Sequence, residues 1–209
     1  MKQRCVQAGA NQKDILVLPM DLCDFSSHKP NFDRILATFG KLDILINNAG
    51  RSQRARWEHI SPEVDLEIFN LNVFSVVNLT RTVVEHMLTN KSGVVAVMSS
   101  TAGKAGVPFS GTYTGSKHAV HGYLESLRTE KAGSGLEVCL LCPGPTFSDL
   151  LSVAATEKPG EKFGEKMAAS DKVVSKQSTS AQAASYLTLI TSLEDDGGEV
   201  CPAITCRYC

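Results

Sequence analysis

The chain has 209 residues, 43% of them hydrophobic and 21% charged, which suits one globular domain with a real core and excludes disorder throughout. The formal charge is −1 with a pI near 6.5, and no long run of Lys or Arg provides the electrostatic footprint of a nucleic-acid or anionic-membrane partner. No apolar stretch approaches the ~18 residues that span a bilayer, and the opening "MKQRCVQAGA" lacks the apolar core of a signal peptide, so the expectation is a cytoplasmic protein acting on a small molecule.

In chain order, "DILVLPM" (14–20) reads as a strand, "NFDRILATFG" as a helix closed by Gly40, and "LDILI" (42–46) as a second strand. Within "SPEVDLEIFNLNVFSVVNLTRTVVEHML", Val73, Val76, Val77, Thr80, Val83, Val84 and Met87 recur at three- and four-residue steps, one apolar helical face, with Ser61 and Pro62 as its start. "GVVAVMSS" is a β-branched run, "TYTGSKHAVHGYLESLRTE" a long helix, and "LEVCLLCPGP" a strand stopped by two prolines. Alternating short apolar strands and helices predict an α/β fold: a doubly wound parallel sheet, Rossmann-like, in three αβα layers. Ligands of such sheets bind at the C-terminal strand ends, which here read "NNAG", "SSTAG" and "CPGPTFS".

The seven cysteines are scattered and odd in number, which points to reduced thiols. Cys139 and Cys142 of "CLLC" lie in a β-like run where side chains three apart face opposite ways, so core thiols are expected there. Cys206 and Cys209 have no second pair at zinc spacing, and His118 with His121 lacks a third ligand, so no metal is expected. Arg51, Arg54 and Arg56 with Trp57 read as a solvated loop, and Asp43 as a strand-end residue.

The chemistry lies beside the rim. Tyr113 and Lys117 are one helical turn apart, so the ammonium can approach the phenol, and an opposite charge lowers a phenol's pKa from its usual ~10. Tyr113 thereby becomes a candidate general acid/base. Ser100, at the end of the preceding strand, can hold a carbonyl or hydroxyl against it, and Asn72 can orient a water behind Lys117.

These residues in this order, "NNAG", "SSTAG", "YTGSK" and "CPGP", resemble the short-chain dehydrogenase/reductase family over roughly residues 10 to 150. The resemblance implies a catalytic tetrad of Asn72, Ser100, Tyr113 and Lys117, with Tyr113 the proton donor and Lys117 also holding the nicotinamide ribose. It implies cofactor contacts at Asp21 and Leu22 for the adenine and at Asn48, Ala49 and Gly50 for its ribose. Pro143, Gly144, Thr146 and Ser148 would flank the nicotinamide, beside Tyr113 and Lys117. NADP or NAD is the implied cofactor, with NADPH slightly preferred. Within the family, "SKHAVHGYLESLRTE" with "CPGP" is most similar to the branch called dehydrogenase/reductase member 7, whose relatives reduce retinoid and steroid carbonyls at the cytosolic face of the endoplasmic reticulum. A small lipophilic carbonyl or alcohol substrate and a homo-oligomer follow from that likeness.

Two departures qualify the expectation. The family's first strand, Gly-rich turn and helix, which hold the pyrophosphate, are not seen, so the chain reads as one incomplete domain over 1–209, poorly stable and inactive alone. Residues 149–177 read as a substrate lid and 178–209 as an irregular C-terminal part with a short last strand. The alternative function is an inactive fragment that acts, if at all, through helix-mediated dimerisation.

Overall fold

The computed structural model describes residues 2–145, 149–166 and 204–205. Its frame is a parallel sheet of four strands, β1 (Ile44–Asn47), β2 (Gly93–Met98), β3 (Leu136–Leu141) and β4 (Ile204–Thr205), in the spatial order β3-β2-β1-β4. Asn47 lies opposite Val97, which lies opposite Leu140, so the loops leaving β1, β2 and β3 begin at one height. That shared register makes the rim.

Side chains alternate across the sheet. The first helix, α1 (Lys2–Gln7), buries no residue. Leu45, Val95, Val97, Leu136 and Val138 join one core with residues of α2 (His28–Phe39), α4 (Ser75–Asn90) and α5 (Gly111–Glu130), while Ile44, Ile46, Ala96 and Leu141 cluster on the opposite face. The helix ends follow the sequence signals. Gly40, at φ 79°, closes α2 in a conformation costly for other residues, and Ser61 with Pro62 opens α3 (Pro62–Phe69). The Val73, Val76, Val77, Thr80, Val83 and Met87 stripe is buried along α4 and the turn before it.

Three expectations change. The strand expected over 14–20 does not form: Ile15 is extended (φ −121°, ψ 111°), yet no described strand lies beside the segment to complete a ladder, and Val17 is exposed. The helix expected to run unbroken from Pro62 is interrupted by a π turn over Asn70–Phe74 between α3 and α4. The chain from 149 to 166, the described part of the expected lid, is docked rather than loose. Ala155 donates to the Ser52 carbonyl (2.9 Å), accepts from Arg54 N–H (2.8 Å), and packs with Val64 and Ile68 of α3. It ends in a short helix, α6 (Phe163–Lys166). The remainder of that segment and the expected last helix lie outside the described residues, and the expected short last strand coincides with β4.

Candidate active site

The buried face of α5 carries the centre of the site. Tyr113 and Lys117 are 8% and 5% exposed, and the Lys117 ammonium lies 5.7 Å from the centre of the Tyr113 ring. Lys117 Nζ donates to the Met98 carbonyl at 2.9 Å, spending one of its three protons on the end of β2. Burial pushes Lys117 down to about 8, against a smaller upward influence from Cys142. Ser100 caps the short turn Thr101–Gly103 by accepting from Ala102 N–H (3.2 Å), and its hydroxyl is near enough to the Tyr113 phenol to favour the phenolate.

The electrostatics of Tyr113 correct the sequence expectation. Burial is the largest influence and raises the phenol above its ordinary value, outweighing the Ser100 hydrogen bond and the nearby Arg54 charge, which both lower it. Removing a phenol from water disfavours its anion more strongly than these neighbours favour it. Tyr113 is therefore held as the acid form.

Asn72 is fully buried in the π turn. Its side-chain oxygen accepts from Arg51 N–H (2.8 Å), and its amide donates to the Arg51 carbonyl (2.9 Å) and to Ser116 Oγ (3.0 Å). Ser116 in turn donates to the Tyr113 carbonyl at 2.7 Å. One widened turn thus lets a single amide fasten the loop after β1 to α5, a use of π turns common at functional sites. Between these groups lies Gly50, where a Cβ would come 3.3 Å from Asn72 Oδ1 and 3.5 Å from Lys117 Nζ. Asn72 and Lys117 thus face the same side of Gly50, where an added Cβ would sit tightly against the Asn72 amide.

The expected cofactor residues fall along the same rim. Leu22, Asn47, Asn48 and Ala49 line a small apolar depression with Ser75, Val76 and Leu79 of α4. Asp21 is exposed at its edge, its carboxylate accepting from Cys23 N–H (2.9 Å), and Asn47 donates to Thr80 (3.1 Å). Pro143 and Gly144 follow β3, and the Pro143 carbonyl accepts from Thr101 N–H at 3.1 Å, tying that loop to the Ser100 turn. Thr146 and Ser148 lie outside the described residues. These groups fit a dinucleotide: an apolar slot beside an exposed carboxylate, and beyond it an ammonium with protons to spare beside a glycine.

Several residues outside the sequence expectation join the site. His121, one turn beyond Lys117, is buried. Its Nδ1 donates to Glu125 (3.4 Å), leaving Nε2 to accept from Ser99 Oγ (2.8 Å), with Cys142 Sγ 3.6 Å away. The ring thereby joins α5 to the ends of β2 and β3, and a Cβ at Gly103 would strike it at 2.8 Å. The four-residue spacing from Tyr113 through Lys117 to His121 was the available signal. Cys139 and Cys142 are only half-buried, and no group of three metal-ligating side chains exists among the described residues. His118 is exposed.

The loop cations are not uniformly solvated. Arg51 is half-buried, paired with Glu67 and bonded to the Val153 carbonyl (2.9 Å). Arg54 is also half-buried, while Arg56 and Trp57 are exposed. Periodicity has no purchase on a loop whose side chains turn inward one at a time.

Comparison with known proteins agrees with this geometry. Residues 1–159 match the family described as short chain dehydrogenase. The chain is 42% identical over 160 residues to mouse dehydrogenase/reductase SDR family member 7, covering 76% of this chain and 47% of that protein. It is 41% identical over 153 residues to the human protein of the same name, covering 72% and 45%. The chain thus spans about half the length of the curated relatives it matches. A solved short-chain dehydrogenase from Streptomyces avermitilis superposes with a TM-score of 0.73 at 26% identity, covering 97% of this chain and 74% of that one. A gluconate 5-dehydrogenase from Burkholderia cenocepacia, in complex with NADP and tartrate, superposes at 0.60 with 25% identity, covering 63% and 51%. With the match across most of its length and the rim built as described, the chain belongs to the short-chain dehydrogenase/reductase family and is by family an oxidoreductase.

Proposed function

We propose that the protein interconverts a carbonyl and an alcohol on a small lipophilic substrate, with NADPH or NADH as cofactor and Tyr113 as the general acid/base. The observation that carries this reading is the buried Tyr113 phenol, one helical turn from the Lys117 ammonium, which lies 5.7 Å from the centre of its ring. The nicotinamide supplies the hydride chemistry when bound, and the chain's own residues supply orientation and the proton.

Ser100 and Tyr113 together hold the substrate oxygen. In reduction, charge builds on that oxygen, and the Tyr113 O–H is donated to it as the carbonyl becomes an alcohol. Tyr113 is protonated at neutral pH, as an ordinary phenol is, and burial strengthens that preference, so the free site is poised as an acid, the state that carbonyl reduction needs. The phenolate left behind is stabilised by Ser100, by the Arg54 charge and by the Lys117 ammonium beneath the ring. Lys117 has two further protons for ribose hydroxyls, and Asn72 keeps the loop carrying Asn48, Ala49 and Gly50 at the right distance. Asp21 and Leu22 take the adenine end. The carboxamide contact belongs to Thr146 or Ser148, and a homo-oligomer through the helices is part of the same reading.

Tyr113→Phe tests the assignment. Removal of the proton donor should lower kcat by about 10²- to 10⁴-fold, with cofactor binding and melting temperature nearly unchanged. Retained turnover would overturn the role given to Tyr113.

A further inference from the structure

The apolar depression below the rim is lined from three parts of the chain. Ser75, Val76 and Leu79 come from α4, Asn47, Asn48 and Ala49 from the end of β1, and Leu22 from the loop before α2. The first two groups are carried by regular elements, whose backbones are held by their own hydrogen bonds. Leu22 belongs to no described strand or helix, so no ladder sets its distance from the others. Its side chain is buried in the core, but apolar burial is non-directional and does not by itself fix a spacing.

One side chain supplies that spacing. His28, the fully buried first residue of α2, donates from Nε2 to the Leu22 carbonyl (3.0 Å) and accepts at Nδ1 from the Asn78 amide (2.9 Å). Asn78 stands next to Leu79 in α4, so the imidazole runs from the backbone of one lining residue to the sequence neighbour of another. The Asn78 amide also reaches the Phe25 carbonyl at 3.5 Å, and the Phe25 and His28 rings lie 5.9 Å apart, tilted by 59°. Ser27 Oγ closes the loop on itself by donating to the Asp24 carbonyl at 2.7 Å. The turn from Asp21 to His28 is thereby fastened to α4 through Asn78.

We propose that His28 is a positioning residue for the cofactor: through its bonds to the Leu22 carbonyl and the Asn78 amide it sets the separation of Leu22 from α4, and with it the width of the slot that takes the adenine ring. His28 touches no part of the cofactor itself. A flat base between aliphatic walls gains full dispersion contact only where both walls meet it, and a gap of ~0.5–1 Å on one side forfeits roughly a quarter to a half of that attraction. A hydrogen-bonded brace across the slot holds that gap closed before the ligand arrives, so binding does not have to order the Leu22 loop. The inference rests on the reading of Asp21 and Leu22 as the adenine end, and adds to it the residue that keeps Leu22 in place.

The test measures, by calorimetry, the affinities of NADH, of ADP-ribose and of reduced nicotinamide mononucleotide, which separate the two ends of the cofactor. Three variants are compared with the native chain. His28→Phe keeps a ring and loses both hydrogen bonds, Asn78→Leu removes the partner on α4, and His28→Gln keeps a donor for the Leu22 carbonyl. NADH and ADP-ribose should bind about tenfold more weakly to His28→Phe and Asn78→Leu, with the mononucleotide unaffected, and His28→Gln should recover the larger part. A side chain that served stability alone would lower the melting temperature, recorded alongside, and leave the folded variants with native affinities. If His28→Phe does not fold, His28→Gln and Asn78→Leu carry the comparison. Native affinity for ADP-ribose in a folded Asn78→Leu or His28→Phe chain, or equal weakening of ADP-ribose and the mononucleotide, overturns the inference and leaves the oxidoreductase reading standing. A native chain that binds the mononucleotide but not ADP-ribose refutes the adenine assignment and the inference together, and one that binds none of the three refutes the cofactor reading itself.

Discussion

His28 and His121 are held as neutral imidazoles by their partners. His28 donates from Nε2 to the Leu22 carbonyl (3.0 Å) and accepts at Nδ1 from the Asn78 amide (2.9 Å), so neither nitrogen has room for another proton. His121 accepts at Nε2 from Ser99, and burial lowers the proton affinity of both rings against the opposing influences of nearby acceptors and carboxylates. A histidine that is less basic folded than unfolded binds fewer protons in the native state, so stability is intact near pH 7.5 and is lost as pH falls through the ordinary value near 6.5. The melting temperature should drop by a few degrees between pH 7.5 and 5.5. His121→Gln, which keeps a hydrogen-bonding group beside Ser99, should melt lower at pH 7.5 but show a shallower pH dependence. A slope identical to the native chain would remove His121 from this account.

At the scale of the element, the π turn between α3 and α4 is the piece that periodicity hides. Apolar residues on both sides of it keep helical spacing, so the sequence reads through as one helix, and an extra residue in one turn leaves almost no trace in composition. Its consequence is local and strong, because the amide of Asn72 satisfies both backbone groups of Arg51. Asn72→Ala would leave those part-buried groups unpaired at a cost of about 1–3 kcal/mol. For a chain of this size that lowers the melting temperature by roughly 2–12 °C, and Asn72→Asp, which keeps an acceptor but loses the amide donor, should recover only part. Turnover should fall further than stability alone explains, since the clamped loop carries Asn48, Ala49 and Gly50. Full activity in a folded Asn72→Ala protein would sink that link.

At the scale of the whole molecule, the sheet and its rim were legible because both rest on local signals: β-branched runs bounded by Gly or Pro, and polar residues at strand ends. That Tyr113, Lys117 and Ser100 would stand at one place was legible because Tyr113 and Lys117 share a helix face and Ser100 closes a strand. The segment 14–20 looks like a strand by composition, yet a strand exists only through its neighbour, and pairing is not written in the segment itself. The inward turns of Arg51 and Arg54 and the bridge made by His121 depend on what lies across a loop, which spacing within one element does not encode. The Lys117 ammonium, with a value of about 8, makes the net charge of the molecule responsive to what occupies the rim. An anionic dinucleotide settling beside it would raise that value, so above pH 8 the complex would draw protons from solution. Calorimetry near pH 8.5 in buffers of different ionisation enthalpy should therefore give different apparent heats for NADH, which has no phosphate monoester titrating in this range, and nearly the same heat in every buffer near pH 6.5, where the ammonium is already charged. Formation of the complex then acts as a small, measurable alkali source for its surroundings.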